Sequence, residues 1–532
     1  MNQSGFIRIG AAGFAAASAL IAASSPARAE WRRAESPKFI VYGEARPSAL
    51  TEFTRTLETF DIVLRTFLSV PLDEAPPRKL PVYVVSGQRD LRTVSPAMGR
   101  DVAGYYVPTE EDIFAIAWRP GMGAGSEVGD LILLHEYGHH FMLQHFPYGY
   151  PAWFVEGFAE YFASTKIEGS RVQVGLIDPN RAYGLLNTRW LPITDLLTKS
   201  PGQIPRGDQS YYPLAGILTH WFLSEEGRRP QLGAYLRDVS RGVDPVEALE
   251  THTGLTPEGL ERELRAYVRG RVGYRQLRIE RPEVSVAVTA LPASAEDLIL
   301  LGQRVKLVGH GAEEPELLAQ VRTAAEGHGD AFAMKILANA EMKLGDRVTA
   351  ESLLRAVLDQ TPDDVEALQL IARLRLDQAR DQDDPAAADA LRGQARGFLA
   401  RAYQLDDANF RTFYLLAESR RTAANYPTDN DIETLRLAYD LAPQLAGARF
   451  NLAATLIYAG RKDEGIALLA PLVNDPHRAG MAAAARAMIA DAQSGADSRA
   501  VLEAAEAAEQ IEPEGASPEP APPAEPAPPP GA

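Results

Sequence analysis

The sequence predicts an α+β body followed by an all-α solenoid, and three observations carry that expectation. Short β-rich runs alternate with helical periodicity near the start, a helix carries His135-Glu136-Tyr137-Gly138-His139, and a helical regime with recurring small residues begins near Ser294. Trimming the first 29 and last 22 of the 532 residues leaves 481, about three domains at ~150 residues each. Hydrophobic residues at 46% and charged residues at 23% supply enough apolar material for sizeable cores and exclude wholesale disorder. The net charge of −17 argues against neutralising nucleic-acid phosphates or anionic lipid. Seven of those charges follow Gly495, so the remaining body is only mildly acidic. With no cysteine there is no thiol nucleophile, Cys-based zinc site or disulfide.

Residues 1–29 hold a single cation, Arg8, ahead of an Ala-rich apolar stretch from Ile9 to Ala23, and close on the small-x-small end Ala27-Arg28-Ala29. This is the pattern of a secretory signal peptide, and it predicts an exported, periplasmic chain with no stable membrane span after cleavage. Arg32-Arg33 follows the apolar stretch and cannot serve as a twin-arginine signal.

Lys38–Tyr42 and Leu80–Val85 read as strands, separated by a helix with Leu50, Phe53, Leu57, Phe60, Leu64 and Phe67 on one face. Val102–Val107 and Ile113–Ala117 read as a hairpin across the turn Pro108-Thr-Glu-Glu-Asp112. After a Gly-rich loop at Pro120–Gly125, a helix begins near Ser126 and runs through Leu143. Further helices are expected over Trp153–Ser164, Tyr212–Leu223, Gln231–Val239 and Thr256–Val268. These bound a body at 30–280, a linker at 281–293, helical repeats at 294–492 and an acidic Pro-rich tail at 493–532 expected to be largely disordered.

In the repeat region a small residue, a later apolar residue and a Pro or Asp recur together. The sets are Ala338, Val357, Pro362; Ala372, Ala402, Asp407; Ala417, Ala438, Pro443; and Ala453, Leu472, Pro476, with Gly345 and Gly460 in inter-helix turns. The pattern resembles tetratricopeptide repeats, whose period is ~34 residues and whose small residues let paired helices approach. Residues 294–328 fit a degenerate first repeat. The resemblance implies a protein partner bound by the repeats.

At about 100° per residue, His135 and His139 share one helix face and Glu136 stands beside them. Two imidazoles can then share one metal ion, with the intervening carboxylate placed to take a proton from water. A tetrahedral catalytic zinc needs a third protein ligand, and Glu156 in Pro151-Ala-Trp-Phe-Val-Glu-Gly-Phe-Ala-Glu-Tyr-Phe162 is the choice. Glu160, one turn on, could orient a ligating His or could be a solvated surface carboxylate. His140 points about 100° away from His139 and reads as packed, His145 has no evident partner, and Asp130 reads as a first-turn carboxylate.

His135–His139 together with Trp153–Tyr161 resemble the gluzincin metallopeptidases of clan MA, particularly exported bacterial members that carry a Trp-x-x-Glu-Gly-x-Ala-Glu-Tyr helix and often a repeat domain. The resemblance implies a zincin-like fold, a small mixed sheet with active-site helices, over residues 38 to about 270. It implies one Zn2+ per chain on His135, His139 and Glu156, Glu136 as general base, and hydrolysis of a peptide or protein substrate. It also implies an edge strand, Val102–Val107 or Ile113–Ala117, that pairs with the substrate. Tyr212 matches the family's later Tyr as donor to the oxyanion, yet Pro213 follows it directly, and Tyr211 and His220 remain alternatives. The alternative function is a repeat-based binding or assembly protein with a structural or inactive zinc site.

Overall fold

The computed structural model describes residues 30–98, 102–119, 127–205, 207–280, 283–309, 314–473 and 479–495. The segments read as signal peptide, Gly-rich loop and most of the tail lie outside the described residues, as do Ser126 and Pro476. In chain order, β1 (Arg32–Glu35), β2 (Phe39–Gly43), α1 (Pro47–Leu68), β3 (Leu80–Val85), α2 (Gln88–Val94), β4 (Gly104–Pro108) and β5 (Ile113–Trp118) open the molecule. Next come α3 (Glu127–His145), α4 (Ala152–Ala163), β6 (Lys166–Glu168), β7 (Arg171–Val174), α5 (Pro179–Asn187), α6 (Ile193–Thr198) and α7 (Tyr211–Ser224). The body closes with α8 (Arg228–Ser240), α9 (Pro245–Thr253), α10 (Pro257–Arg269), β8 (Arg275–Arg278) and β9 (Ala287–Ala290).

The main sheet has the order β4-β5-β3-β2-β1-β9, with β2, β3 and β5 mutually parallel and the other pairings antiparallel. All six residues of β3 are buried, because both faces of the sheet are covered. Leu80, Val82 and Val84 join the core with the α1 stripe and α3, while Tyr83 and Val85 face a second core. The expected strand–helix–strand opening and hairpin are present, and β4 is the edge. The expected linker at 281–293 is corrected: Ala287–Ala290 pairs with β1 in register Arg32↔Ala290 to Glu35↔Ala287, completing the sheet. A second, three-stranded sheet, β6-β7-β8, also escaped the sequence reading.

The helical regime comprises α11 (Ala295–Leu307), α12 (Pro315–Ala325), α13 (Ala331–Leu344), α14 (Arg347–Gln360), α15 (Val365–Arg380) and α16 (Pro385–Leu405). It continues with α17 (Phe410–Glu418), α18 (Asp429–Leu441), α19 (Ala446–Tyr458), α20 (Lys462–Val473) and α21 (Ala479–Ser494). Each helix packs on the next, and α11, α13, α15 and α17 also touch in succession, as stacked helix pairs must. The predicted small and apolar positions Ala338, Val357, Ala372, Ala402, Ala417, Ala438, Ala453 and Leu472 are all buried. Gly460 takes φ +84° between α19 and α20, a conformation glycine adopts without a side-chain clash.

The two regions share their cores. Ala295 and Ile299 of α11 pack with Trp31, Tyr83, Val85 and Phe114 on the sheet's second face. Phe410, Tyr414, Leu445 and Ala448 join the main core of the body. The boundary near residue 293 is thus a change in sequence pattern and not a division between separate cores. Among the described residues no helix is long and apolar enough to cross a membrane.

Candidate metal centre

Helices α3 and α4 lie side by side, and the sequence explains how closely. Gly138 of α3 faces Ala159 of α4, where an added Cβ would sit 3.2 Å from the Ala159 Cα. Gly157 of α4 faces α7, where a Cβ would stand 2.2 Å from Thr219 Oγ1 and 2.4 Å from the Ala215 carbonyl oxygen. At Gly157 only a residue without a side chain lets α4 and α7 approach so nearly, while a Cβ at Gly138 would be a tight contact between α3 and α4. Trp153, fully buried, donates from Nε1 to the Tyr235 hydroxyl at 3.0 Å and anchors the start of α4.

Helix α3 is fixed from behind by buried charge. Asp61 of α1 pairs with Arg65 at 2.8 Å and Lys38 at 3.2 Å, and accepts from the Tyr137 hydroxyl at 2.7 Å. Burial, followed by the Asp61 charge, pushes the Tyr137 phenol well up, so it stays a donor. On the sheet side, Gly104 of β4 lies so near α3 that a Cβ there would meet Ile132 Cγ2 at 2.6 Å.

This frame brings three buried side chains to one point. His135 Nε2 and His139 Nε2 are 3.1 Å apart, and Glu156 Oε2 stands 3.6 Å from the first and 3.5 Å from the second. Donors ~2.0–2.1 Å from a tetrahedral zinc ion stand about 3.4 Å from one another. The triangle has that size and the donor set is two imidazoles and a carboxylate, so the residues fit such an ion. Glu136 is buried beside His135 on the same turn. The side chain of Asp130 lies outside what the structure describes.

The far side of the triangle is also built. Glu160 Oε1 lies 3.5 Å from His135 Nδ1, and Arg181 grips the Glu160 carboxylate with two bonds, Nε to Oε2 at 3.0 Å and Nη2 to Oε1 at 2.7 Å. Glu160 is therefore not a solvated surface carboxylate. Arg181 sits in the first turn of α5, where the Asp178 side chain caps the helix by accepting from the Asn180 and Arg181 amides. Its guanidinium also lies 5.7 Å from the centre of the Tyr212 ring. Sequence reasoning missed Arg181, since a single arginine after a capping Asp has no spacing that ties it to a carboxylate 21 residues earlier.

The three residues weighed for the oxyanion part company. Tyr211 donates to the Lys199 carbonyl at 2.8 Å. His220 has Nε2 at 2.9 Å from the Gly175 carbonyl and 3.0 Å from that of Gly273, so Nε2 carries the proton and Nδ1 accepts from Tyr267 at 2.8 Å. Burial lowers the His220 pKa and keeps it neutral. Both are structural in this arrangement. Tyr212 is the second residue of α7, next to the Arg181–Glu160 pair, and Pro213 falls in the first turn, where no helical N–H is missed. His140 is packed as expected: it stacks on Tyr137, its Nδ1 lies 3.0 Å from the Tyr106 hydroxyl, and burial lowers its pKa to about 3. His145 packs on Phe141 with the rings tilted at 47° and has Arg65 Nη2 at 3.5 Å, giving it the partner that the sequence did not supply.

No family model matches the chain, and no curated protein matches it. Among solved structures it is similar to a thermophilic TPR protein of Thermus thermophilus, at 20% identity and a TM-score of 0.32, over 38% of this chain and 100% of that one.

Proposed function

We propose that the chain is a zinc-dependent peptidase of the gluzincin kind, exported to the cell envelope by residues 1–29, with tetratricopeptide-like helix pairs for protein contacts. The observation that supports it is the zinc-sized triangle of His135, His139 and Glu156 across two helices, with Glu136 buried alongside. Those three residues would hold the ion. When bound, zinc would polarise the scissile carbonyl and make water more acidic. Glu136 takes a proton from water and passes it to the leaving amine nitrogen. Glu160, held by Arg181, accepts from His135 Nδ1 and so keeps Nε2 directed at the ligand cluster. Tyr212, whose ring lies beside the Arg181 guanidinium that holds Glu160, donates to the developing oxyanion. The edge strand β4 pairs with an extended substrate backbone.

Glu136→Gln tests the reading, because it removes the base and keeps the shape. Turnover of a cleaved peptide should fall by about 10³-fold with metal content unchanged; undiminished turnover would overturn the mechanism.

A second reading makes the helix pairs the working part, in a binding or assembly protein with a structural ion. The engagement of their inner face with an acidic turn supports it. Under this reading Glu136→Gln leaves the protein's function in the cell intact.

A further inference from the structure

The repeats hold the body at two places. One is the acidic turn between β4 and β5, where Glu111 meets Lys343 Nζ at 2.6 Å and Asp112 meets Lys306 Nζ at 2.8 Å. The other is the connection between the two ligand helices, residues 146–151, which leads from His139 on α3 to Glu156 on α4. It reads Phe146-Pro-Tyr-Gly-Tyr-Pro151. Its backbone closes only short turns, with the Tyr148 N–H on the Phe146 carbonyl at 2.8 Å and the Tyr150 N–H on the Tyr148 carbonyl at 3.0 Å, and its two prolines have no N–H to add. A segment with so few backbone bonds of its own takes its position from what it packs against.

Three contacts in succession come to it from the far end of the solenoid. Gln444, buried in the turn between α18 and α19, donates to the side-chain carbonyl of Gln144 on the last turn of α3. Arg449 of α19, also buried, donates from Nη1 to the Pro147 carbonyl at 3.0 Å. The guanidinium is itself held in place, with Nη2 donating to the Pro443 carbonyl at 3.4 Å and the group lying 5.0 Å from the centre of the Tyr439 ring. Gly149 rests on α20, where an added Cβ would stand 3.0 Å from the Ala470 carbonyl oxygen and 3.3 Å from the Pro471 Cα. Apolar packing backs these contacts, since Leu445 and Ala448 share the main core with Phe141 and Met142 of α3 and Phe154 of α4.

We propose that the α18–α20 end of the repeats is an intramolecular clamp on the α3–α4 connection, with Arg449 and Gln444 as positioning residues that set how far Glu156 stands from His135 and His139. The ligands are supplied by α3 and α4, and the spacing between the two helices is held from outside. A metal site tolerates deviations of only about 0.2 Å in its ligand distances, so an ion entering a site with a loose connection would first have to order it. The repeats thereby have a part within the body itself, apart from any contact with another protein. The effect on zinc rests on the peptidase reading, but the clamp does not.

The test compares full-length wild type with Arg449→Met and with a control, Arg375→Met, which removes a buried arginine of α15 that holds Glu351 within the repeats. Zinc affinity, by competition with a chelator, and the visible absorption of the Co2+-loaded chain are read beside the thermal midpoint. Arg449→Met should weaken zinc binding about tenfold, the scale on which groups that orient ligands act, and alter the Co2+ bands. Arg375→Met should lower the midpoint and leave affinity and bands as in wild type. Arg449→Lys, which keeps a donor for the Pro147 carbonyl, should recover most of the affinity. Equal affinity and bands in wild type and Arg449→Met, or equal losses in the two Met variants, overturn the proposal while leaving the peptidase reading intact. If Arg449→Met fails to fold, Gln444→Met is read in the same way. If wild type takes up no zinc, the peptidase reading fails, and hydrogen exchange at residues 145–150 decides the clamp: faster exchange in Arg449→Met with α13 unchanged supports it, and unchanged exchange overturns it.

Discussion

The metal-type ligands and the acidic turn are both buried clusters of ionisable groups, but they are assembled over very different distances along the chain. His135, His139 and Glu156 come from two adjacent helices joined by a short loop. The partners of Glu110, Glu111 and Asp112 on the solenoid lie 194 to 304 residues further on. A site built locally is carried by helix periodicity and close packing. One built across the chain depends on the solenoid docking as a body, so it should be the first to fail when a single charge is removed.

The largest expected effect follows from Lys343→Met, which removes a buried ammonium and leaves the half-buried Glu111 beside Asn339 without its nearest cation. Breaking a buried pair from one side costs about 3–5 kcal/mol, read as a fall in thermal or denaturant midpoint. A loss under ~1 kcal/mol would mean that the turn is not held as described. The local site is tested by Gly157→Ala, whose methyl would enter the space of Thr219 and Ala215. Overpacking of this kind costs about 1–3 kcal/mol, and zinc affinity should fall with it as α4 shifts.

A smaller effect is set by pH. Burial opposes ionisation of Asp112, but the Lys306 and Arg78 charges outweigh burial and hold its pKa at about 2, below the usual 3.8. A carboxylate with a depressed folded pKa stabilises fully above its unfolded value and loses that contribution as pH falls through the folded one. The window is therefore roughly pH 4 down to 2, and the amount is about 2 kcal/mol at 1.4 kcal/mol per unit. Asp112→Asn should flatten that part of the stability profile. The smallest effect belongs to Arg181→Gln, which frees Glu160 and should weaken zinc binding about tenfold while the fold is unchanged. Metal titration with a competing chelator would measure it.

The contrast also explains what could be read from the sequence. His135, His139, Glu136 and Glu156 announce themselves because ligands on one helix face have a fixed spacing. The strand–helix–strand opening, the hairpin and the paired helices followed from periodicity for the same reason. β1 and β9 were not legible, since each is four residues long and Arg32 meets Ala290 across most of the body. Neither were Lys306, Lys343 and Arg411. Lone cations on amphipathic helices read as solvated until docking places a carboxylate against them. Docking also makes α11 part of the sheet's packing, which no repeat pattern signals.

Metal analysis of the full chain, purified without chelator, bears most directly on the central claim. Wild type should hold close to one zinc, His139→Ala and Glu156→Ala should hold almost none, and the Glu110→Gln, Glu111→Gln chain should keep its ion. A wild-type chain that carries no zinc and takes none up on addition would contradict the account.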